Sequence, residues 1–234
     1  MFEHYDYGKE LSKNEYYDIQ IKRSNSKFSF CRVSILDAIF MLNIVKKYGY
    51  EFGPIICMGT RSGREVDLFR IAVKSGILAK LTYLFEIRRH VFSSVFPFIE
   101  SIGRSDKNII KEDTVMGVEI NPRAERKDVL VASFDELPKD YENKFTMLYS
   151  NSFDQSLSPE KTARQWLKVL KHRGFLVLHY KENERPSYTD PTGGLNVESL
   201  KALFPGDVLH SAKSNIDKYN PSCLIIRIDK GSQV

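Results

Sequence analysis

Short apolar segments that alternate with helical patterns constrain the fold of this chain most strongly. Apolar runs of this kind lie at residues 55–58, 114–120, 128–134, 144–150 and 174–180. Helical patterns lie between them at about 64–74 and 159–170, which is typical of a parallel sheet covered on both faces. The closing segments, 207–213 and 222–229, are joined by a turn-rich link and are predicted to form an antiparallel pair. The sequence therefore predicts one α/β domain over residues 1–234.

Two segments outside this alternation have a different character. Residues 1 to about 50 are interpreted as an N-terminal helical extension, polar and tyrosine-rich, in which residues 34–48 show helical periodicity. Residues 77 to about 113 form an insertion rich in aromatic side chains. Because exposed aromatic patches mark contact surfaces, this insertion is predicted to cover a substrate mouth or to form a homodimer contact. The alternative is that it packs over the edge of the sheet.

Charge and cysteine content narrow the functional class. The net charge of +5, from 35 basic and 30 acidic residues, is too small to indicate nucleic-acid binding by itself. The three cysteines fit no disulfide framework, and no Cys, His or Asp cluster has the spacing of a metal site, so no metal is predicted. No segment resembles a leader or has the length and hydrophobicity of a membrane span. A cytoplasmic protein is the resulting expectation.

The turn after residues 55–58 is bracketed by Gly59 and Gly63. Glycine lets the backbone approach a ligand closely, and ligands of open α/β sheets bind beyond the carboxyl ends of the strands. The turn lacks the third glycine of the dinucleotide fingerprint and the Gly-Lys-Ser/Thr ending of a P-loop. For this turn taken alone, a tight strand-to-helix connection without a ligand is the alternative.

Polar residues end the later strands. Glu119 lies near the end of segment 114–120, where its carboxylate can accept hydrogen bonds from a ribose diol. Small and acidic residues, in the run ASFDELP, end the next strand and suit contacts with an adenine edge. A polar loop, SNSFDQS, follows the third. Together these features predict a nucleoside site at one edge of the sheet.

In this order, the motifs resemble the class I S-adenosylmethionine-dependent methyltransferases. The segments GTRSGREV, GVEINP and NSFDQ, which begin at Gly59, Gly117 and Asn151, are similar to the first-turn, second-strand and fourth-strand motifs of that family. The resemblance covers residues from about 33 to 228. It implies a Rossmann-like, seven-stranded, mostly parallel sheet with helices on both faces, and it implies S-adenosyl-L-methionine as the cofactor.

The resemblance also implies roles for the strand ends. The turn at 59–63 would pass beside the methionine moiety, and Glu119 would hold the ribose hydroxyls. Residues 133–135 would flank the adenine, and residues 151–155 would separate cofactor from substrate. The cofactor-binding residues implied in this way are Gly59, Thr60, Arg61, Gly63, Glu65, Glu119, Ile120, Asn121, Ser133, Phe134, Asp135 and Asn151.

Several positions depart from the family pattern. Arg61 replaces the middle glycine of the turn, and Cys57 stands where an acid usually precedes it. Ser133 stands where an acid is expected, although Asp135 follows closely. Gln155 replaces a frequent histidine. These departures keep a catalytically lapsed, methyltransferase-like binding or scaffold protein as an alternative.

Methyl transfer to a hydroxyl requires that the acceptor be aligned with the methyl group and that a base take the hydroxyl proton. Polar side chains at the strand ends are the candidates for both roles. The candidate catalytic residues are Asp154, Gln155 and His179. Asp154 as a loop or capping acid, and His179 as a packed side chain, are the structural alternatives.

The modest charge and the aromatic insertion favour a small-molecule or glycan acceptor, methylated at oxygen. The alternative, an RNA or DNA methyltransferase, predicts that basic residues gather on one face of the molecule. The residues concerned are Arg61, Arg64, Arg88, Arg89 and Lys171.

Overall fold

The computed structural model describes residues 2–49, 53–74, 115–213 and 221–231. Within these ranges the helices are α1 (Lys13–Ser26), α2 (Ile35–Lys47), α3 (Arg64–Lys74), α4 (Pro159–Val169) and α5 (Val197–Leu203). The strands are β1 (Glu3–His4), β2 (Ile55–Met58), β3 (Val115–Glu119), β4 (Val129–Val131), β5 (Phe145–Ser150), β6 (Leu170–Tyr180), β7 (Thr192–Gly193), β8 (Gly206–Lys213) and β9 (Ser222–Ile228). The insertion predicted at 77–113, with its homodimer contact, lies outside the described residues.

Seven strands form one sheet in the order β4-β3-β2-β5-β6-β9-β8. The pairs among β2 to β6 are parallel, and β9 runs antiparallel to both β6 and β8. The predicted seven-stranded, mostly parallel sheet with a C-terminal antiparallel pair is confirmed. Because β3 lies on one side of β2 and β5 on the other, the strand order reverses at β2, where ligands of open α/β sheets bind.

Alternate side chains of the central strands enter two separate cores. Cys57 and Tyr149 pack on one side of the sheet with residues of α2 and α3. Met58 and Leu148 pack on the other side, with residues of α4 and α5. All four residues of β2 are buried, which explains its continuous apolar sequence. Helices therefore cover both faces of the sheet, as predicted.

Helix α1 lies inside the predicted N-terminal helical extension, but the sequence analysis found no periodicity that marks its position. Ser12 caps it, because the backbone N–H of Glu15 donates to Ser12 Oγ (3.3 Å) and the N–H of Ser12 donates to Glu15 Oε2 (2.9 Å). The pattern Ser-x-x-Glu is the sequence sign of such a capping box. The buried face consists of Tyr16, Gln20 and Ser24, so no apolar periodicity reveals the helix.

The short antiparallel pair of β1 and β7 is absent from the prediction. It joins Glu3 to Gly193 and His4 to Thr192. The pair ties the chain ahead of α1 to the segment that follows β6. None of the helices in the described ranges has the length and hydrophobicity needed to cross a bilayer.

Two strand boundaries differ from the prediction. β4 ends at Val131 rather than at residue 134, since the following residues bend toward α4, where Trp166 Nε1 donates to the carbonyl of Phe134 (3.2 Å). β6 begins at Leu170 rather than at residue 174, and Arg173 within it has a left-handed φ of 59°. A register shift in the pairing of β5 with β6 accommodates these extra residues.

Trp166 is expected to support the loop after β4. It is fully buried, and its ring contacts Phe134 and Phe153 edge-on at centroid distances of 5.7 and 5.3 Å. Trp166→Phe removes the indole donor and part of the buried volume, so we expect a loss of about 1–3 kcal/mol in the free energy of unfolding. Urea unfolding followed by circular dichroism measures this loss. Glu160→Gln, on the exposed face of the same helix, should change stability by less than about 0.5 kcal/mol.

Candidate functional site

A cleft lies at the carboxyl edge of the sheet, between the ends of the central strands and α1. The residues that line it are Tyr16, Gln20, Arg23, Ser24, Gly59, Arg61, Glu119, Ile120, Phe134, Ser152 and Gln155. The first four belong to α1, and the others follow or end β2, β3, β4 and β5. The cleft therefore stands at the strand-order reversal.

The glycine turn after β2 is held against β3. The N–H of Gly59 donates to the carbonyl of Val118 (2.8 Å), and the N–H of Gly63 donates to the carbonyl of Thr60 (2.9 Å). Gly59 and Gly63 have φ values of 72° and 79°, in the left-handed region that favours glycine. A Cβ at Gly59 would lie 2.7 Å from Ser152 Cβ, so this position admits no side chain.

Arg61 takes a left-handed φ of 55° at the place of the family's middle glycine. The replacement therefore keeps the backbone conformation, and it adds a side chain that contacts the segment after α1. The guanidinium donates to the carbonyl of Phe30 (3.0 Å) and lies over the Phe30 ring. The backbone N–H of Arg61 donates to Glu119 Oε2 (2.6 Å).

Glu119 is the central carboxylate of the cleft and is only 5% exposed. Besides the bond from Arg61, its Oε1 accepts from the N–H of Asn121 (3.2 Å) and from the hydroxyl of Ser24 (3.1 Å). Burial raises the pKa of this carboxyl above its ordinary value, while these hydrogen bonds act in the opposite direction. Glu119 thus already accepts a hydrogen bond from a hydroxyl group on α1.

Asn121 is buried beside Glu119 and does not line the cleft. Its Oδ1 accepts from the N–H of Arg123 (3.0 Å), and its Nδ2 donates to the Ser24 hydroxyl (3.1 Å) and to Asn25 (3.0 Å). Asn121 therefore fixes the contact between α1 and Glu119.

The loop after β4 places Phe134 on the wall of the cleft. The N–H of Asp135 donates to the hydroxyl of Ser133 (3.3 Å), and the Asp135 carboxylate accepts from Thr162 on α4. Burial raises the pKa of Asp135. Ser133 and Asp135 shape this loop, while Phe134 presents an aromatic surface to a ligand.

The loop after β5 brings Ser152 and Gln155 into the cleft. Asn151 accepts a hydrogen bond from the Ser152 hydroxyl (3.1 Å). Asp154 lies next to Gln155, and its Oδ1 is buried without a hydrogen-bond partner among the described residues. Burial, and next the neighbouring charge of Asp190, raise the pKa of Asp154 to about 7.

Besides Asn121, Ser133, Asp135, Asn151 and Asp154, four more predicted site residues are not among those that line the cleft. Thr60 and Gly63 lie within the turn, and Glu65 is buried on the first turn of α3. His179 is buried in β6, where its Nδ1 lies 3.3 Å from the hydroxyl of Tyr149. Tyr149 belongs to the core between the sheet and α2 and α3, so His179 lies on the side of the sheet opposite to α4.

Helix α1 is the part of the site that the sequence patterns missed. Lys13 forms an ion pair with Glu136 after β4, and Arg23 forms a two-pronged ion pair with Asp190 after β6. The free volume left in the cleft is about 40 Å³, which holds only a few water molecules.

No family model matches the chain, and no curated protein sequence matches it significantly. Solved structures do match. The 1,6-didemethyltoxoflavin-N1-methyltransferase of Burkholderia thailandensis, crystallised with 1,6-didemethyltoxoflavin and S-adenosylhomocysteine, is 12% identical with a TM-score of 0.55, over 98% of this chain and 95% of that one. A methyltransferase from Thermotoga maritima is 14% identical with a TM-score of 0.50, over 92% and 99%. The [4+2]-cyclase SpnF is 12% identical with a TM-score of 0.52, over 92% and 94%.

The chain has the class I methyltransferase fold. The resemblance predicted from the motifs is confirmed at this level. Because one of these neighbours is a cyclase, the methyltransferase fold does not by itself determine the reaction, and the assignment of function has to come from the residues of the cleft.

Proposed function

We propose that this protein is an S-adenosylmethionine-dependent methyltransferase that acts on a small-molecule acceptor. The observation that carries this proposal is the buried Glu119 carboxylate, which lines the cleft beside the glycine turn and accepts a hydrogen bond from a hydroxyl. A ribose diol offers hydroxyl donors of the same kind. The fold, shared with a neighbour crystallised with S-adenosylhomocysteine, supports the same cofactor.

Three parts of the cleft would hold the cofactor. Glu119 would receive the ribose hydroxyls, and Ile120 and Phe134 would flank the adenine ring. The backbone at Gly59, which lines the cleft and packs too closely on Ser152 to carry a side chain, would lie against the methionine moiety. When bound, S-adenosylmethionine supplies a methyl group that is already activated on a sulfonium. The residues of this chain then have to orient the acceptor, exclude water and accept a proton.

Asp154 suits the proton-accepting role. A general base works best when its pKa lies near the operating pH, and burial and Asp190 raise the pKa of Asp154 to about 7. We assign Asp154 as the base that takes the proton from the acceptor's nucleophile. Gln155, which lines the cleft beside it, would orient the acceptor. His179 has no part in this mechanism because it is buried beside Tyr149.

The contacts of the basic residues favour a small acceptor over a nucleic acid. The guanidinium of Arg61 donates to the carbonyl of Phe30, and that of Arg64 donates to the carbonyl of Ser29 (2.6 Å). Both side chains thus hold the segment after α1. Arg88 and Arg89 lie outside the described residues. Phosphate binding needs basic groups directed at the polyanion, and Arg61 and Arg64 are directed at the protein's own backbone.

Calorimetric titration of the purified protein tests the proposal. S-adenosylmethionine and S-adenosylhomocysteine are expected to bind with dissociation constants on the order of micromolar, about −8 kcal/mol. NAD and ATP, which share the adenosine but lack the methionine moiety, serve as controls and should bind far more weakly. Equal affinity for all four ligands, or no binding of S-adenosylmethionine and S-adenosylhomocysteine, would contradict the proposal.

Ser24→Ala is expected to tighten S-adenosylhomocysteine binding. The Ser24 hydroxyl occupies Glu119 Oε1 in the free protein, so its removal lowers the cost of replacing it with a ribose hydroxyl. A hydrogen bond contributes a net amount of about 0.5–1.5 kcal/mol, which corresponds to an affinity gain of about 2- to 10-fold. Calorimetry measures the gain, with Ser29→Ala as the exposed control. Weaker binding by Ser24→Ala would show instead that Ser24 helps to hold the cofactor.

A further inference from the structure

The face of α1 that points into the molecule is polar. Tyr16, Gln20 and Ser24 follow one another at intervals of four residues, and they are only 5%, 5% and 6% exposed. A helix that packs on a protein core normally presents an apolar stripe. The polar stripe of α1 instead forms the roof of the cleft, so its groups are available to a ligand rather than to a core.

Three buried polar atoms of this roof have no hydrogen-bond partner in the ranges that the structure describes. They are the hydroxyl of Tyr16, Oε1 of Gln20 and Nε of Arg23. Other atoms of the last two side chains are fixed, because Gln20 Nε2 donates to the carbonyl of Thr189 (2.9 Å) and Arg23 Nη2 donates to Asp190 (2.8 Å). An unsatisfied buried polar group costs about 1–3 kcal/mol. Three such groups on one wall of one cleft indicate that a ligand satisfies them.

A fourth atom of this kind belongs to the loop after β5, next to Gln155 of the cleft lining. Asp154 Oδ1 is buried and has no partner among residues 2–49, 53–74, 115–213 and 221–231. Gln155, the next residue in the chain, lines the cleft together with Tyr16, Gln20 and Arg23. Two hydrogen-bond acceptors, Gln20 Oε1 and Asp154 Oδ1, and two donors, Tyr16 and Arg23 Nε, are thus unpartnered in the cleft lining or directly beside it in the chain.

The strand order separates this cluster from the nucleoside end of the cleft. Glu119, Ile120 and Phe134 follow or end β3 and β4, on one side of β2. Asp154 follows β5, and Thr189 and Asp190 follow β6, on the other side. Asp154, and with it Gln20 and Arg23, which bond to Thr189 and Asp190, therefore belong to the half of the cleft beyond the nucleoside, and Tyr16 lies on the same buried face of α1.

We propose that Tyr16, Gln20 and Arg23 on α1, together with Asp154, form the acceptor subsite, which takes a small, uncharged or cationic molecule whose nucleophile carries an N–H or O–H group. This inference rests on the proposed function. Gln20 and Asp154 accept from the nucleophile, while Tyr16 and Arg23 donate to an oxygen or nitrogen elsewhere on the acceptor.

The charges around the subsite define the acceptor class. Arg23 is paired with Asp190. This pair is neutral as a whole, so an ionised Asp154 gives the subsite a net negative charge. A phosphate or carboxylate acceptor would be repelled.

Sinefungin is the probe that tests this subsite without a known acceptor. It carries an amino group in place of the transferable methyl, whereas S-adenosylhomocysteine carries nothing there. Wild type is expected to bind sinefungin about 10-fold more tightly than S-adenosylhomocysteine, since an ammonium ion would face Asp154 and Gln20. Asp154→Asn should abolish this preference, and Gln20→Met should reduce it. The affinity for S-adenosylhomocysteine should stay within about 2-fold in both variants.

Two controls sharpen the test. Gln165→Met on α4 makes the same substitution away from the cleft and should keep the wild-type preference. Tyr16→Phe removes only an unpartnered hydroxyl, so the variant should unfold at no lower urea concentration than wild type. Tyr17→Phe, the same substitution at the next position of α1, is its control.

The outcomes are distinguishable. If S-adenosylhomocysteine binds but wild type shows no preference for sinefungin, the acceptor subsite is wrong and the proposed function stands. If Asp154→Asn and Gln20→Met weaken both ligands equally, these groups hold the cofactor, and the subsite is again overturned. If neither ligand binds to folded wild type, the proposed function itself fails.

Discussion

Glu119→Gln is expected to weaken the binding of S-adenosylhomocysteine by about 100-fold. Each hydrogen bond to a charged acceptor contributes about 1.5–3 kcal/mol. In glutamine, an NH₂ group replaces one carboxylate oxygen, so a donor would face hydroxyl and N–H groups that are themselves donors. Both oxygens of Glu119 already accept from Arg61, Asn121 and Ser24, so the side-chain amide cannot replace the carboxylate without breaking one of these bonds. Calorimetric titration measures the loss.

Glu160→Gln is the matched control for this experiment, because Glu160 is exposed on α4 and should leave the affinity unchanged. Circular dichroism and urea unfolding verify that both variants are folded. If Glu119→Gln binds S-adenosylhomocysteine as tightly as wild type, Glu119 does not hold the ribose, and the cofactor assignment loses the observation on which it depends.

The second large effect concerns pH and stability. Glu65 is 5% exposed, and its Oε2 is buried with no hydrogen-bond partner in the described part of the chain. Burial raises the pKa of Glu65 from 4.5 to about 7, against the opposing influence of its hydrogen bonds and of Arg61. The folded protein therefore keeps a proton between these two pH values that the unfolded chain releases. Ionisation of Glu65 thus costs stability as the pH rises from about 4.5 to about 7.

Glu65→Gln should remove this cost. At about 1.4 kcal/mol for each pKa unit, the variant is expected to be more stable than wild type by about 3 kcal/mol at pH 8 and by less than about 1 kcal/mol at pH 5. Urea unfolding of both proteins at intervals across this range measures the difference. Asp154 contributes a second loss of the same sign, since its pKa is also raised to about 7, so the Glu65→Gln variant should still lose some stability in this window. A stability difference that does not change with pH would contradict the prediction.

The sheet was predictable from the sequence because its strands are buried on both faces. β2 matches the predicted residues, and the reversal of direction at β9 follows from the short link before it. The cleft residues that follow these strands were predictable for the same reason, since Gly59, Glu119 and Phe134 lie at strand ends that meet at one edge of the sheet.

Helix α1 was not predictable from periodicity, because its buried residues are polar. Tyr16, Gln20 and Ser24 face a cleft rather than an apolar core, and only the capping pair Ser12 and Glu15 marks the helix in the sequence. The wall of the cleft that α1 forms, where we propose the acceptor subsite, was missed with it. A helix whose buried face is polar leaves no apolar period in the sequence, and here that face lines the cleft.

The departures from the family motif have a structural explanation. Arg61 adopts a left-handed φ of 55° at the position where the family has glycine. Arg61 also anchors the segment after α1 through the carbonyl of Phe30. Cys57 is fully buried in β2 and packs in the core on the side of α2 and α3. These substitutions leave the turn intact, which favours a binding site over a lapsed one.

A crystal structure of the protein grown with S-adenosylhomocysteine shows directly whether Glu119 binds the ribose. We expect the ribose hydroxyls within hydrogen-bond distance of both Glu119 oxygens, the adenine beside Phe134, and Ser24 displaced from Glu119. Electron density for the ligand elsewhere, or a Ser24–Glu119 contact that persists with the ligand bound, would contradict this expectation.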